Sequence, residues 1–188
     1  YFIKENIPCI GIEPTKATAL ESRKKGIKTI EEFFNSNMAN SLEKVDLLVA
    51  NNVVAHVPNI NDFMKGICTA LKNEGLASIE FPHLLNIVKY TQFDTIYHEH
   101  YSYLSLIAFK QIALHANLDI IDVEEIPTHG GSLRVWLAHK NTFLISNNVN
   151  KIIEIEKSLK LTSIEGFKNL KNNAKKIKIQ LLNFLLKA

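Results

Sequence analysis

Residues 94–100 read Asp-Thr-Ile-Tyr-His-Glu-His, so Tyr97, His98, Glu99 and His100 are four consecutive side chains able to donate, accept or transfer protons. An extended backbone sends Tyr97 and Glu99 to one face and His98 and His100 to the other. A helical turn instead brings Tyr97 and His100 together. Such a run cannot be hydrophobic core, because burial without partners costs several kcal/mol. It is a solvated loop, a proton-transfer site, or, through His98 and His100, part of a metal site whose other ligands are not evident. Composition by itself favours the loop.

Three further polar groups stand at the ends of apolar runs. Glu13 follows the run at 7–12, IPCIGI, ended by Pro14. An acidic residue at the carboxyl end of a strand can accept from both hydroxyls of a ribose, or it can cap the next helix. Asn51, Asn52 and His56 follow a second run at 45–50, VDLLVA. Adjacent asparagines suit turn chemistry, and a histidine taken alone is more often structural. His129, Gly130 and Gly131 lie beside Ser132 and Arg134. Paired glycines let a backbone approach a ligand and present N–H groups to an anion. The spacing alone favours a turn that needs positive φ.

The elements that must hold these residues follow from hydrophobic periodicity. Apolar runs at 7–12, 28–30, 45–50 and 76–81 read as buried strands. Residues 15–25, stopped by Gly26, and 61–72, with Phe63, Ile67, Ala70 and Leu71 along one stripe, read as helices. Strands alternating with helices at this spacing predict right-handed βαβ units in a parallel sheet. Residues 84–90 and 104–116 read as helices on either side of an irregular stretch at 93–103. Residues 119–126 and 132–139 alternate as strands around the turn at 127–131, which predicts a hairpin. A mainly parallel α/β sheet ended by an antiparallel hairpin suggests the Rossmann-like, class I fold of S-adenosylmethionine-dependent methyltransferases. From Asn150 the composition turns to Lys, Leu, Ile, Asn and Glu without strand signal, predicting one or two amphipathic helices. The expected division is a core at 1–147 and a helical segment at 148–188.

The 188 residues carry 46% hydrophobic and 22% charged side chains and a formal charge of +3, as an ordinary globular domain does. The lysines are scattered, whereas a nucleic-acid surface gathers basic residues on one face with aromatics between them. No apolar run reaches the length of a membrane span. Cys9 and Cys68 are isolated, as buried thiols in a reducing cytoplasm would be, and neither has the partner a structural zinc site needs.

The stretches ANNVVAHVP at 50–58, FDTIYHEHYSY at 93–103 and IPTHGGSLR at 126–134 resemble the sugar C-methyltransferases of deoxysugar biosynthesis. That resemblance covers most of the chain and implies transfer of a methyl group from S-adenosylmethionine to a carbon of a dTDP-linked 4-keto-deoxysugar. It implies His100 as the base that removes the proton next to the ketone, with Tyr97, Glu99 and His56 in the same site. It implies Glu13 at the cofactor ribose beside a pocket of Phe33, Asn51 and Asn52, and His98, His129, Ser132 and Arg134 at the substrate. Family members also carry a zinc-binding N-terminal domain, a glycine-rich loop after the first strand and a C-terminal Rossmann-like domain. These are not found within the 188 residues. The fragment alone is therefore expected to hold the cofactor poorly and to show no turnover, and its sheet is expected to be partly exposed and to self-associate. The alternative is a non-catalytic remnant serving as a binding or assembly module.

Overall fold

The computed structural model describes residues 2–187. Strands β1 (Ile10–Ile12) and β2 (Lys28–Ile30) pair in parallel around helix α1 (Lys16–Lys24). Gly26 closes that helix region at φ 83, with nothing near the position a Cβ would take. The short helix α2 (Ser36–Asn40) was not legible in the sequence, since five residues are too few to show a helical period. Asn35 starts it by accepting the Met38 N–H at 2.8 Å.

A second unit runs β3 (Val45–Asn51), α3 (Ile60–Ala70), β4 (Leu71–Pro82), with β3 and β4 parallel. Strand β4 begins earlier than the expected 76, because Val45 pairs with Leu71 before a register shift places Leu47 opposite Leu76. Then follow α4 (Leu84–Tyr90), a 3-10 turn at Phe93–Thr95, α5 (Leu106–His115), and the strands β5 (Leu118–Ile126) and β6 (Ser132–His139). Helix α5 starts two residues later than expected, where Ser105 accepts the Ala108 N–H, and Leu104 instead bridges His83. The predicted hairpin is present, from Ile126 opposite Ser132 to Leu118 opposite His139. The four-stranded sheet has the order β3-β4-β6-β5, so β6 inserts between β4 and β5 and both of its pairings are antiparallel.

Alternation on β6 buries Leu133, Val135 and Leu137 completely, facing Ile79 and Phe81 of β4 and Phe109 of α5 in one core. The Phe81 and Phe109 rings lie 4.7 Å apart between centroids. Each such side chain contributes about 1.5–3 kcal/mol by burial. Helix α6 (Asn147–Ser158) adds Val149 and Ile152 to this core, so the expected boundary after residue 147 falls at the first turn of a helix packed on β5 and α5. Helix α7 (Leu170–Leu185) buries no residue. Among the described residues no helix is long and apolar enough to cross a membrane. Strand β3 is a sheet edge, and its Leu47 and Val49 remain 42% and 46% exposed.

Candidate active site

The polar groups singled out by the sequence collect where β3 and β4 end. His56 closes a 3-10 turn at Val54–His56, just after β3. The stretch 93–103 folds back on that turn, because the Tyr101 and Ser102 N–H groups both donate to the Ala55 carbonyl, at 2.8 and 3.2 Å. The result brings together two histidines 44 positions apart: the His56 and His100 ring centroids are 4.6 Å from each other.

Within the run, the turn geometry holds and the extended one does not. The His100 N–H donates to the Tyr97 carbonyl at 3.1 Å. The Tyr97 hydroxyl lies 3.0 Å from His100 Nε2, and the two rings overlap at 4.2 Å. His100 Nδ1 is 2.9 Å from the Thr95 carbonyl oxygen. A carbonyl only accepts, so Nδ1 carries the proton, Nε2 presents its lone pair, and the Tyr97 hydroxyl donates to it. His56 repeats the device: its Nδ1 donates to the Glu99 carbonyl at 3.1 Å, which leaves Nε2 as an acceptor. Among the described residues no group of three or more His, Cys, Asp or Glu side chains is arranged to hold a metal.

Beside these rings is a cavity of about 290 Å³ lined by Asn52, Pro82, Gln92, Asp94, Thr95, Tyr97, His100, His129 and Gly130. Asn52 sits at φ 54 and donates its backbone N–H to the Glu80 carbonyl at 2.9 Å. Its buried side-chain Oδ1 has no hydrogen-bond partner, which leaves an acceptor for a ligand hydroxyl or amine. His129, Gly130 and Gly131 all have positive φ, so the glycine pair forms the turn that its spacing favoured. The turn is clamped from α4 and the residues after it. Asn86 Nδ2 donates to the Gly131 carbonyl at 3.2 Å and Gln92 Nε2 to the Gly130 carbonyl at 2.8 Å.

Other expected residues lie elsewhere. His98 and Glu99 are exposed and line no part of this cavity; Glu99 contributes its backbone carbonyl only. Ser132 is buried and donates to the Thr128 carbonyl at 3.1 Å, closing the turn. Arg134, two register steps inside the hairpin, faces Glu124 at 3.6 Å. Asn51 is exposed and Asn52 is the asparagine in the cavity wall. Glu13 follows β1 and accepts the Thr15 N–H at 2.7 Å through Oε1, a bond within the turn that leads to α1 and not a cap of the helix itself, while its Oε2 has no partner among the described residues. Phe33 is 73% exposed, an apolar ring left in the open.

Sequence reasoning missed Thr95, Gln92, Asn86 and Glu80. Thr95 acts through a carbonyl that any residue type would supply. Glu80 is buried on β4, and its carboxylate accepts the Thr128 hydroxyl at 2.6 Å, holding the turn from below.

Comparison with known proteins places this arrangement. Residues 2–123 match a family described as a methyltransferase domain, and residues 127–188 match a C-methyltransferase C-terminal domain. The C-methyltransferase NovU of Streptomyces niveus is 31% identical over 133 residues, covering 69% of this chain. The chain spans 32% of that relative's length. Among solved structures, a S-adenosylmethionine-dependent methyltransferase of Thermotoga maritima, titled a possible histamine N-methyltransferase, superposes with a TM-score of 0.57 at 14% identity, over 74% of this chain and 76% of its own. The 1,6-didemethyltoxoflavin-N1-methyltransferase of Burkholderia thailandensis, solved with S-adenosylhomocysteine, superposes with a TM-score of 0.55 at 12% identity, over 75% and 65%. The fold is that of class I S-adenosylmethionine-dependent methyltransferases, and the chain belongs to the methyltransferase family, with a match to a C-methyltransferase C-terminal domain following the methyltransferase-domain match.

Proposed function

We propose that this chain takes part in S-adenosylmethionine-dependent C-methylation of a dTDP-linked 4-keto-deoxysugar, at the carbon next to the ketone. The observation that carries the reading is His100, whose Nδ1–H is held by the Thr95 carbonyl so that Nε2 presents a lone pair beside a cavity. Carbon methylation needs a carbon nucleophile, made by removing a proton α to a carbonyl. A positioned base contributes about a hundredfold to ten-thousandfold to such a step. His100 Nε2 takes the proton once the substrate displaces the Tyr97 hydroxyl from it. The released hydroxyl is then free to donate to the developing enolate oxygen. His56, with its proton committed to the Glu99 carbonyl, is not a second enolate donor. His56 stands behind His100 and does not itself line the cavity, whereas Asn52 Oδ1 offers an acceptor in the cavity wall.

The reading assigns the nucleoside half of the cofactor to Glu13 and Phe33, which stand outside the lining of that cavity. Glu13 keeps one carboxylate oxygen free at the end of β1, and Phe33 leaves an apolar ring exposed soon after β2. Glu13 would accept from the ribose and Phe33 would cover the base. When bound, the cofactor supplies an electrophilic methyl group on sulfonium. The test is to supply methyl-labelled S-adenosylmethionine and the nucleotide sugar, and to locate the label by carbon NMR. Label on the carbon next to the ketone supports the reading; label on oxygen or nitrogen opposes it.

A second reading draws on the β3 edge, where Leu47 and Val49 stay open to solvent. An unpaired edge with apolar side chains is a template for another strand. Here the chain is an assembly module, and a second copy covers this edge. Sedimentation of the purified chain as a monodisperse monomer opposes it.

A further inference from the structure

Glu156 and His83 form a pair with no exposure to solvent, 73 positions apart. Glu156 Oε1 lies 2.7 Å from His83 Nε2 and accepts the Leu106 N–H at 2.6 Å; Oε2 accepts the Ile107 N–H at 2.8 Å. With Ser105 Oγ accepting the Ala108 N–H, the first three N–H groups of α5 are all satisfied, two of them by a carboxylate at the positive end of the helix. An acceptor-only carboxylate requires His83 Nε2 to be the donor. His83 Nδ1 is buried and has no hydrogen-bond partner among the described residues. An unsatisfied atom in the core carries a cost that an apolar residue at position 83 would not.

The topology gives this arrangement a purpose. The chain leaves the sheet at His83 and returns at Leu104, where the two residues bridge and the Leu84 N–H donates to the Leu104 carbonyl at 3.0 Å. Everything between, including Thr95, Tyr97 and His100, is one excursion. Glu156 ties both of its ends, His83 on one side and Leu106 with Ile107 on the other. The excursion lies within the methyltransferase-domain segment, and Glu156 within the C-methyltransferase segment that follows it.

We infer that Glu156 is a positioning residue: it clamps the base of the excursion that carries His100, so that helix α6 sets where the proton acceptor stands. This rests on the reading of His100 as the base. The test therefore has one arm that does not need activity. In the full chain carrying Glu156→Gln, amide deuterium uptake of 93–103 should accelerate about tenfold or more, while uptake in β4 and β6 stays as in the parent. Ile152→Ala, on the same buried face of α6, serves as the control that loosens packing without touching the clamp, and it should not single out 93–103. If Glu156→Gln does not fold, His83→Gln carries the same readout, since it leaves both backbone hydrogen bonds on Glu156. In the second arm, with substrate and S-adenosylmethionine, proton exchange at the sugar carbon should slow about tenfold with cofactor affinity unchanged. Unchanged uptake at 93–103, or an equal rise in 93–103 and the core strands, overturns the inference. An intact parent enzyme that exchanges no proton at the sugar carbon instead removes the reading of His100, and the uptake arm still decides the clamp.

Discussion

His100 donates its Nδ1 proton to the Thr95 carbonyl oxygen across 2.9 Å, and this single bond fixes Nε2 as the acceptor facing Tyr97. The tautomer is thus set by backbone, five residues upstream, and the catalytic reading depends on it. A carbonyl partner leaves no ambiguity about which nitrogen holds the proton.

Tyr97 is the donor released when Nε2 engages a substrate. Tyr97→Phe keeps the ring stacked on His100 at 4.2 Å but removes the hydroxyl. In the intact enzyme turnover should fall about a hundredfold, the usual loss for one donor at a developing oxyanion. Steady-state kinetics should place the loss in kcat, with KM for S-adenosylmethionine unchanged. A variant with the parent kcat would show that the enolate finds its donor elsewhere.

Glu13 divides its carboxylate between the Thr15 N–H, in the turn before α1, and the free Oε2. Glu13→Ala should weaken S-adenosylmethionine binding about tenfold or more, as loss of a hydrogen bond to a charged group does. Proton exchange at the sugar carbon should persist. Calorimetric titration separates the roles: a destabilised turn with unchanged cofactor affinity would leave Glu13 with its bond in the turn alone.

Gly131 stands at φ 109, and a Cβ there would lie 2.3 Å from Asn86 Nδ2. Gly131→Ala must both strain the backbone and push Asn86 off the carbonyl it holds. It should lower stability by about 1–3 kcal/mol. Gly26→Ala, at φ 83 in open space, meets no side chain and should cost less. Urea midpoints compare the two, and equal midpoints would deny the Asn86 contact any weight.

Much of the fold was legible because its signals are local. Two alternating runs around Gly130 and Gly131 gave the hairpin, and the run from Tyr97 to His100 declared itself by being impossible as core. What was illegible is non-local or carried by backbone. Thr95 contributes a carbonyl, and Asn86 and Gln92 act on carbonyls of a turn 45 and 38 positions away. His98, Glu99, Ser132 and Arg134 are neighbours in sequence to residues of the cavity and yet line no part of it, Ser132 closing a turn instead. Glu156 did leave a trace, since Val149, Ile152 and Glu156 recur at helical spacing and all are buried. A carboxylate on an apolar stripe must have a buried partner.

Burial pushes the Cys68 thiol upward, against the weaker pull of Lys44, whereas Cys9 is exposed. A raised thiol holds less thiolate at mildly alkaline pH, and only the thiolate is alkylated. Iodoacetamide at pH near 8 should modify Cys9 well before Cys68, as peptide mass spectrometry would read. Equal rates would mean that the packing of α3 against β6 opens readily.

The central claim, that His100 is the base, is tested most directly by deuterium wash-in at the carbon next to the ketone, measured with the nucleotide sugar in heavy water. His100→Asn keeps a polar side chain but offers no imidazole lone pair. In the intact enzyme it should lose wash-in and methyl transfer together, by about a hundredfold or more. Wash-in at the parent rate in His100→Asn would contradict the account and assign the proton to another residue.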